Sequence, residues 1–281
     1  MCFHIHSGCY QGQGKFNDRF LNREKNLCLK KLMALALRVI KFNCVTKGKE
    51  KMKTNPLIEY DNKIFSAIAV ARYTEALWVA NEELHLAYER FGTANSETSK
   101  VLNNLGWIHD LMGHAKEAEE NYLKALEIKV QDQNAHSADV IPTLENLVTL
   151  YISQKENEKA KTFLNKLIDV VETLNDPYKM RKSVYLCNLA EIEESEGAFN
   201  RAEWYYQQAI GFLEANYPYD HPNIGRTFGK LGALFQKLDD FQKSEFYYSR
   251  SLRILKKHLS PNHPDVQFTL QGLKEIYAAV G

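Results

Sequence analysis

Four residues near the start of the chain have the chemistry of metal ligands. Cys2, His4, His6 and Cys9 offer the soft and borderline donors that hold zinc. No second ligand pair at zinc-finger spacing accompanies them, so no metal site is expected. Gly8, Gly12 and Gly14 lack the preceding strand and the spacing of a phosphate-binding glycine loop. The nine histidines are scattered, and the chain has neither a Gly-Lys-Ser/Thr loop nor a nucleophile elbow. Neither catalysis nor a cofactor is expected.

A second set of polar residues recurs at a fixed interval. Asn104, Asn146, Asn188 and Lys230 stand 42 residues apart, with Asn103 beside the first. An amide donates and accepts at once and can bracket a peptide unit of any sequence. A row of amides is therefore a candidate reader of an extended backbone. The competing reading is that the row contacts the adjacent helix.

The elements that position this row are repeated with it. Leu105, Leu147, Leu189, Leu231 and Leu273 recur every 42 residues, with Leu102, Leu144, Leu186, Phe228 and Leu270 three positions earlier. Thirteen positions after the first series stand Ala76, Ala118, Ala160, Ala202 and Ser244. A fixed period of this length marks one supersecondary unit copied and stacked. Within each unit the apolar positions fall at helical spacing, so two helices joined by a short turn are predicted. The fold class is all-α, an α-solenoid of antiparallel helix pairs. The small residues let the two helices approach closely; Tyr122, Tyr206 and Tyr248, with Leu164 in the third unit, fill the seam one turn on. Gly113 and Gly197 are placed to end a helix in the left-handed conformation. Asp220-His221-Pro222 and Asn262-His263-Pro264 mark helix starts, with Asp or Asn as the expected cap.

The array is expected to span residues 57–281 in about five units. The first is degenerate, because Lys63 stands where leucine recurs, and an irregular first helix built on Ile58, Tyr60, Ile64 and Phe65 is expected there. Residues 266–280 form a terminal capping helix, as solenoid ends require. Residues 1–56 hold 12 Lys/Arg against 3 Asp/Glu, whereas residues 57–281 hold 24 against 32. The basic leader contains a cationic amphipathic stretch, Leu27 to Phe42. It reads as an unstructured tail or processed segment, as a mitochondrial presequence, or as a surface for anionic lipid. The acidic array argues against nucleic acid, which needs a basic face. No apolar run reaches the length of a membrane span. A single cysteine in the array, Cys187, suits a reducing compartment, and a cytoplasmic location is expected, with a mitochondrial one as the alternative.

The motifs Asn103 to Gly106, Ala118 to Ile128, Ala202 to Ile210 and Asn262 to Val266 resemble the tetratricopeptide repeat, in the 42-residue form found in kinesin light chains rather than the usual 34-residue unit. The resemblance implies a non-catalytic scaffold or adaptor whose first helices line a concave groove for a peptide or helix of a protein partner. It implies that the asparagine row holds the peptide backbone. Arg226 and Lys230, one turn apart, would add a cationic spot for an acidic peptide or terminal carboxylate, and Trp107 would face the groove. Trp204 is assigned to seam packing. The run Glu191, Glu193, Glu194 and Glu196 reads as a solvated acidic face or as selection for a basic ligand. The heptad coiled coil that joins kinesin light chains to the motor has no counterpart in residues 1–56.

Overall fold

The fold is that of a computed structural model, which describes residues 56–131 and 137–280. The Cys/His cluster and the amphipathic stretch of the leader lie outside the described residues. Among the described residues every regular element is helical. The first hairpin is α1 (Leu57–Ala69) with α2 (Tyr73–Phe91), and the second is α3 (Ser96–Leu111) with α4 (Ala115–Gln131). A 3-10 turn, Ser137–Val140, leads into α5 (Ile141–Ser153), which pairs with α6 (Asn157–Glu172). Then follow α7 (Arg181–Ser195) with α8 (Phe199–Asn216), α9 (Pro222–Lys237) with α10 (Phe241–His258), and the terminal α11 (Pro264–Val280). Each of α3, α5, α7 and α9 packs between the second helix of its own unit and that of the unit before.

The 42-residue leucines are buried in every unit, from Leu105 to Leu273, as are Ala76, Ala118, Ala160, Ala202 and Ser244. Leu270 departs from its series. It is 36% exposed, because among the described residues no second helix follows α11 to cover it.

Inside each hairpin, the residue after the core leucine and the residue sixteen further on trade volume. A Cβ on Gly106 would stand 2.6 Å from Tyr122 Cδ1, and one on Gly232 2.7 Å from Tyr248 Cδ1. Ala190 and Tyr206 share the core of the fourth unit. Where the first-helix residue is larger, the second-helix residue is smaller: Val148 with Leu164, and Ile64 with Ala80. Close packing at crystal-like density requires such compensation.

The first helix of the degenerate unit is a regular α-helix, not the irregular one expected. Lys63 faces solvent and pairs with Glu59 at 2.7 Å, while Ile64, one residue on, is fully buried. Trp204 also departs from expectation. It is 53% exposed, since consecutive helical residues point about 100° apart and Tyr206 occupies the seam. The helix starts at Pro222 and Pro264 are capped by histidine rather than by Asp or Asn. His221 Nδ1 accepts from the Asn223 amide at 3.2 Å, and His263 Nδ1 accepts from the Asp265 amide at 3.2 Å. Both rings must be unprotonated at Nδ1 to cap, and burial, reinforced by Arg226 and His258, lowers the pKa of His221.

The turn inside every hairpin has one residue with positive φ at the same repeat position. These are Ala71 (58°), Gly113 (78°), Lys155 (62°), Gly197 (77°) and Asp239 (55°). Glycine adopts this conformation at no steric cost, whereas a residue with a Cβ is strained by about 1–2 kcal/mol. Lys155→Gly is therefore expected to stabilise the protein by about 0.5–1 kcal/mol, the strain relieved exceeding the entropy glycine adds to the unfolded chain. Urea unfolding of the full-length variant checks this; a lower midpoint would contradict it.

Candidate functional site

The row of amides is assembled by α3, α5, α7 and α9. Each member directly precedes the buried leucine and so lies at the edge of the core stripe, half-buried. Asn104 Nδ2 donates to Asp61 Oδ1 of α1 at 3.0 Å. Asn146 Nδ2 donates to Asn103 Oδ1 of α3 at 3.2 Å. Both bonds join residues 43 apart, so each row member reaches back to the position before its own counterpart in the preceding unit. Burial raises the pKa of Asp61, the Asn104 bond opposing and the nearby Glu97 reinforcing that shift.

The ladder breaks at the third junction. Glu145, in register with Asp61 and Asn103, receives Arg181 Nη1 at 3.0 Å and Tyr185 OH at 2.7 Å. Its carboxyl pKa is raised by burial, against the Tyr185 bond. The side-chain amide of Asn188 is left with no hydrogen-bond partner among the described residues. The sequence reading did not single out Glu145, although the same 42-residue phase marks it.

Lys230 Nζ donates to Glu191 Oε1 at 2.6 Å. Burial disfavours its ammonium, yet Cys187 and Glu191 beside it hold its pKa above the usual lysine range. Arg226 donates through Nε to Asp265 Oδ2 at 2.5 Å and through Nη1 to Asn223 Oδ1 at 2.6 Å. The cationic spot expected at Arg226 and Lys230 is therefore already neutralised by carboxylates of α7 and α11. Trp107 is half-buried and belongs to the cores of two successive units at once, with its ring 5.9 Å from Phe65.

The acidic run of α7 is neither a solvated face nor a free acidic surface. Glu193 is fully buried, 3.2 Å from Lys161 Nζ and 2.9 Å from Arg201 Nη2. Glu196 takes a 2.6 Å contact from Lys161, and Glu194 takes Lys237 at 2.7 Å and Tyr206 OH at 2.7 Å. Lysines from both neighbouring units converge on this helix, which a count of its own residues does not reveal. Among the described residues no group of three His, Cys, Asp or Glu side chains is placed to hold a metal ion, and no helix is long and apolar enough to cross a membrane.

Residues 99–131, which include most of α3 and all of α4, match the family model of the tetratricopeptide repeat. This match and the stacked-hairpin architecture support a tetratricopeptide-repeat fold for the array. The array is similar to that of a Podosopora anserina putative kinesin light chain with nearly identical repeats, at 14% identity and TM-score 0.60 over 73% of this chain and 97% of that one. It is similar also to BtubC (BKLC) from P. vanneervenii, 19% identical with TM-score 0.59 over 79% of this chain and 84% of that one. The apo form of RapI has the same fold at 12% identity and TM-score 0.59, covering 79% and 82%. No curated protein matches the chain in sequence.

Proposed function

We propose that the chain is a non-catalytic adaptor whose first-helix face holds an extended peptide or a helix of a protein partner, with Asn188 at the centre of the contact. The observation that carries this reading is the break in the polar ladder. Asn104 and Asn146 spend an amide donor on the neighbouring unit, whereas Asn188 keeps donor and acceptor for a ligand backbone. Asn103, Arg226, Lys230 and Trp107 are framing residues, which set the spacing of the wall around it. Support for a protein ligand rather than nucleic acid comes from the acidity of residues 57–281, with 24 Lys/Arg against 32 Asp/Glu. The likeness to kinesin-light-chain repeats favours, as a narrower version, a kinesin-light-chain-like adaptor subunit. Cys187 is a buried free thiol, which fits the cytoplasm.

Crosslinking of the tagged full-length protein followed by mass spectrometry identifies the partner, and its binding is then measured against single variants. Asn188→Ala is expected to weaken binding about tenfold, the value of one or two lost peptide hydrogen bonds. Asn104→Ala, whose amide is already committed, is expected to weaken it much less. Undiminished binding by a folded Asn188→Ala protein would remove the groove assignment.

A further inference from the structure

The outer faces of the first and last complete hairpins carry the same pattern with opposite charge. On α2, Glu75, Glu82 and Glu89 are exposed and spaced by seven. On α10, four repeats later and at the same repeat positions, stand Lys243, Arg250 and Lys257. Seven residues are close to two helical turns, so each triplet lies along one stripe with about 10 Å between charges. A large aromatic residue sits in each stripe at the same repeat position. Trp78 is 66% exposed and Phe246 55% exposed. Neither belongs to the first-helix face discussed above.

Each charge of these stripes meets at most one oppositely charged group, and the basic side chains also lie over rings, Arg250 over Phe228 at 4.1 Å, Lys243 over Phe235 at 4.7 Å and Lys257 over Tyr219 at 5.2 Å. Glu75 meets Arg72 at 3.4 Å and Glu89 meets His85 at 3.5 Å. Lys243 meets Asp240 at 3.0 Å, Arg250 meets Glu214 at 3.9 Å, and Lys257 meets Asp220 at 3.3 Å. Exposed pairs of this kind contribute little and exchange readily. The reversal extends beyond the stripes. Residues 57–216 hold 15 Lys/Arg against 26 Asp/Glu, while residues 217–258 hold 8 against 4.

We propose that α2 of one copy docks on α10 of a second copy of this chain, three carboxylates against three cations with Trp78 and Phe246 in the seam. The equal spacing of the two triplets puts all three pairs in register whichever way the helices run. A second copy fits better than an extended polyanion, since the cationic stripe is one helix long and the preceding four units would repel a polymer of like charge. One helix face against another is at the small end of specific interfaces, so the contact is weak and governed by salt.

Sedimentation of the full-length protein tests this, at low salt, where the Debye length is about 30 Å, and in 1 M salt, where it is about 3 Å. The wild type is expected to self-associate at low salt and to be monomeric at high salt. Glu75→Gln/Glu82→Gln/Glu89→Gln and Lys243→Gln/Arg250→Gln/Lys257→Gln each remove one face, from positions that are exposed except for the half-buried Arg250, with helix content unchanged by circular dichroism. Each alone is expected to associate at least tenfold more weakly, and their equimolar mixture to form a one-to-one dimer through the single pair of intact faces. A chain with all six charges reversed is expected to regain association. A monomeric wild type at low salt, or a mixture that stays monomeric, would overturn the proposal. So would an α10 variant that still associates, a result that would assign the acidic stripe to another copy's basic residues 1–56.

Discussion

Gly232→Ala is expected to destabilise the protein by about 2–3 kcal/mol, the range for forcing one extra carbon into a filled core. The new Cβ would stand 2.7 Å from Tyr248 Cδ1, and a Cβ on Gly272, across the same ring, would also overlap it. Tyr248 is thus held between two helix backbones, α9 and α11, and has nowhere to retreat. Its hydroxyl is anchored as well, donating to Gln236 Oε1 at 2.9 Å. Alanine's better helix propensity, about 1 kcal/mol over glycine, offsets part of the clash but not all of it. The second change that relieves the overlap is already present elsewhere in the chain, where Val148 faces a unit with Leu164. Tyr248→Leu alone leaves a cavity and costs stability too, about 2–4 kcal/mol. The double variant Gly232→Ala/Tyr248→Leu is therefore expected to lose less than the two single losses added together. Urea unfolding of the four proteins completes the cycle, and simple additivity would contradict the compensated-volume account.

An effect of similar size is expected at Glu83, on the inner side of α2. It is 1% exposed, and its Oε2 has no hydrogen-bond partner. Burial, and then the charges of Asp61 and Glu97, push its pKa up from 4.5 to about 8. At neutral pH the folded protein holds a proton here that the unfolded chain releases. The stabilisation is complete below about pH 4.5 and is lost as pH rises through about 8. The protein is expected to lose on the order of 2–4 kcal/mol from this group between pH 5 and 9, at about 1.4 kcal/mol per pKa unit. Glu83→Gln, which mimics the protonated acid, should flatten that part of the profile. Thermal unfolding of both proteins across this range makes the comparison, and parallel profiles would exclude Glu83 as the source.

The solenoid was legible because each unit buries the same positions. Leu105 and its successors face the core in all units, so burial preserves the leucine and the period can be counted. The departures have local causes that a period does not carry. Lys63 breaks the leucine series, but Ile64, at the next position, which every complete hairpin buries, keeps the helix on the core. His221 and His263 cap their helices since each directly precedes the helical proline, whereas Asp220 and Asn262 are one residue further out. Trp204 sits next to the seam residue Tyr206, and adjacency on a helix is a change of face.

The candidate site was legible as a set of positions and not as a set of bonds. Asn104, Asn146 and Asn188 look equivalent along a 42-residue period. Their bonds run over 43 residues, so each depends on what the preceding unit places one position earlier: Asp61, Asn103 or Glu145. The third of these is engaged by Arg181 and Tyr185; the position of Tyr185 is buried from the second unit on but holds Val101, Thr143, Thr227 and Thr269 in the others, so only here does it carry a phenol. Likewise, the neutralisation of Arg226 and Lys230 comes from Asp265 and Glu191 on neighbouring helices. Charge counted within one helix cannot foresee it.

The glycine–tyrosine pairing of the hairpins sets the size of the part that can be exchanged. Because Gly106 is shaped for Tyr122 and Val148 belongs with Leu164, a single helix moved from one unit to another brings the wrong volume to its partner. A whole hairpin carries both halves of its match. Duplication, loss or transplantation in this array should therefore succeed hairpin by hairpin and fail helix by helix. The fifth hairpin is the least portable, because Tyr248 also requires the bare backbone of Gly272 from the helix that follows it.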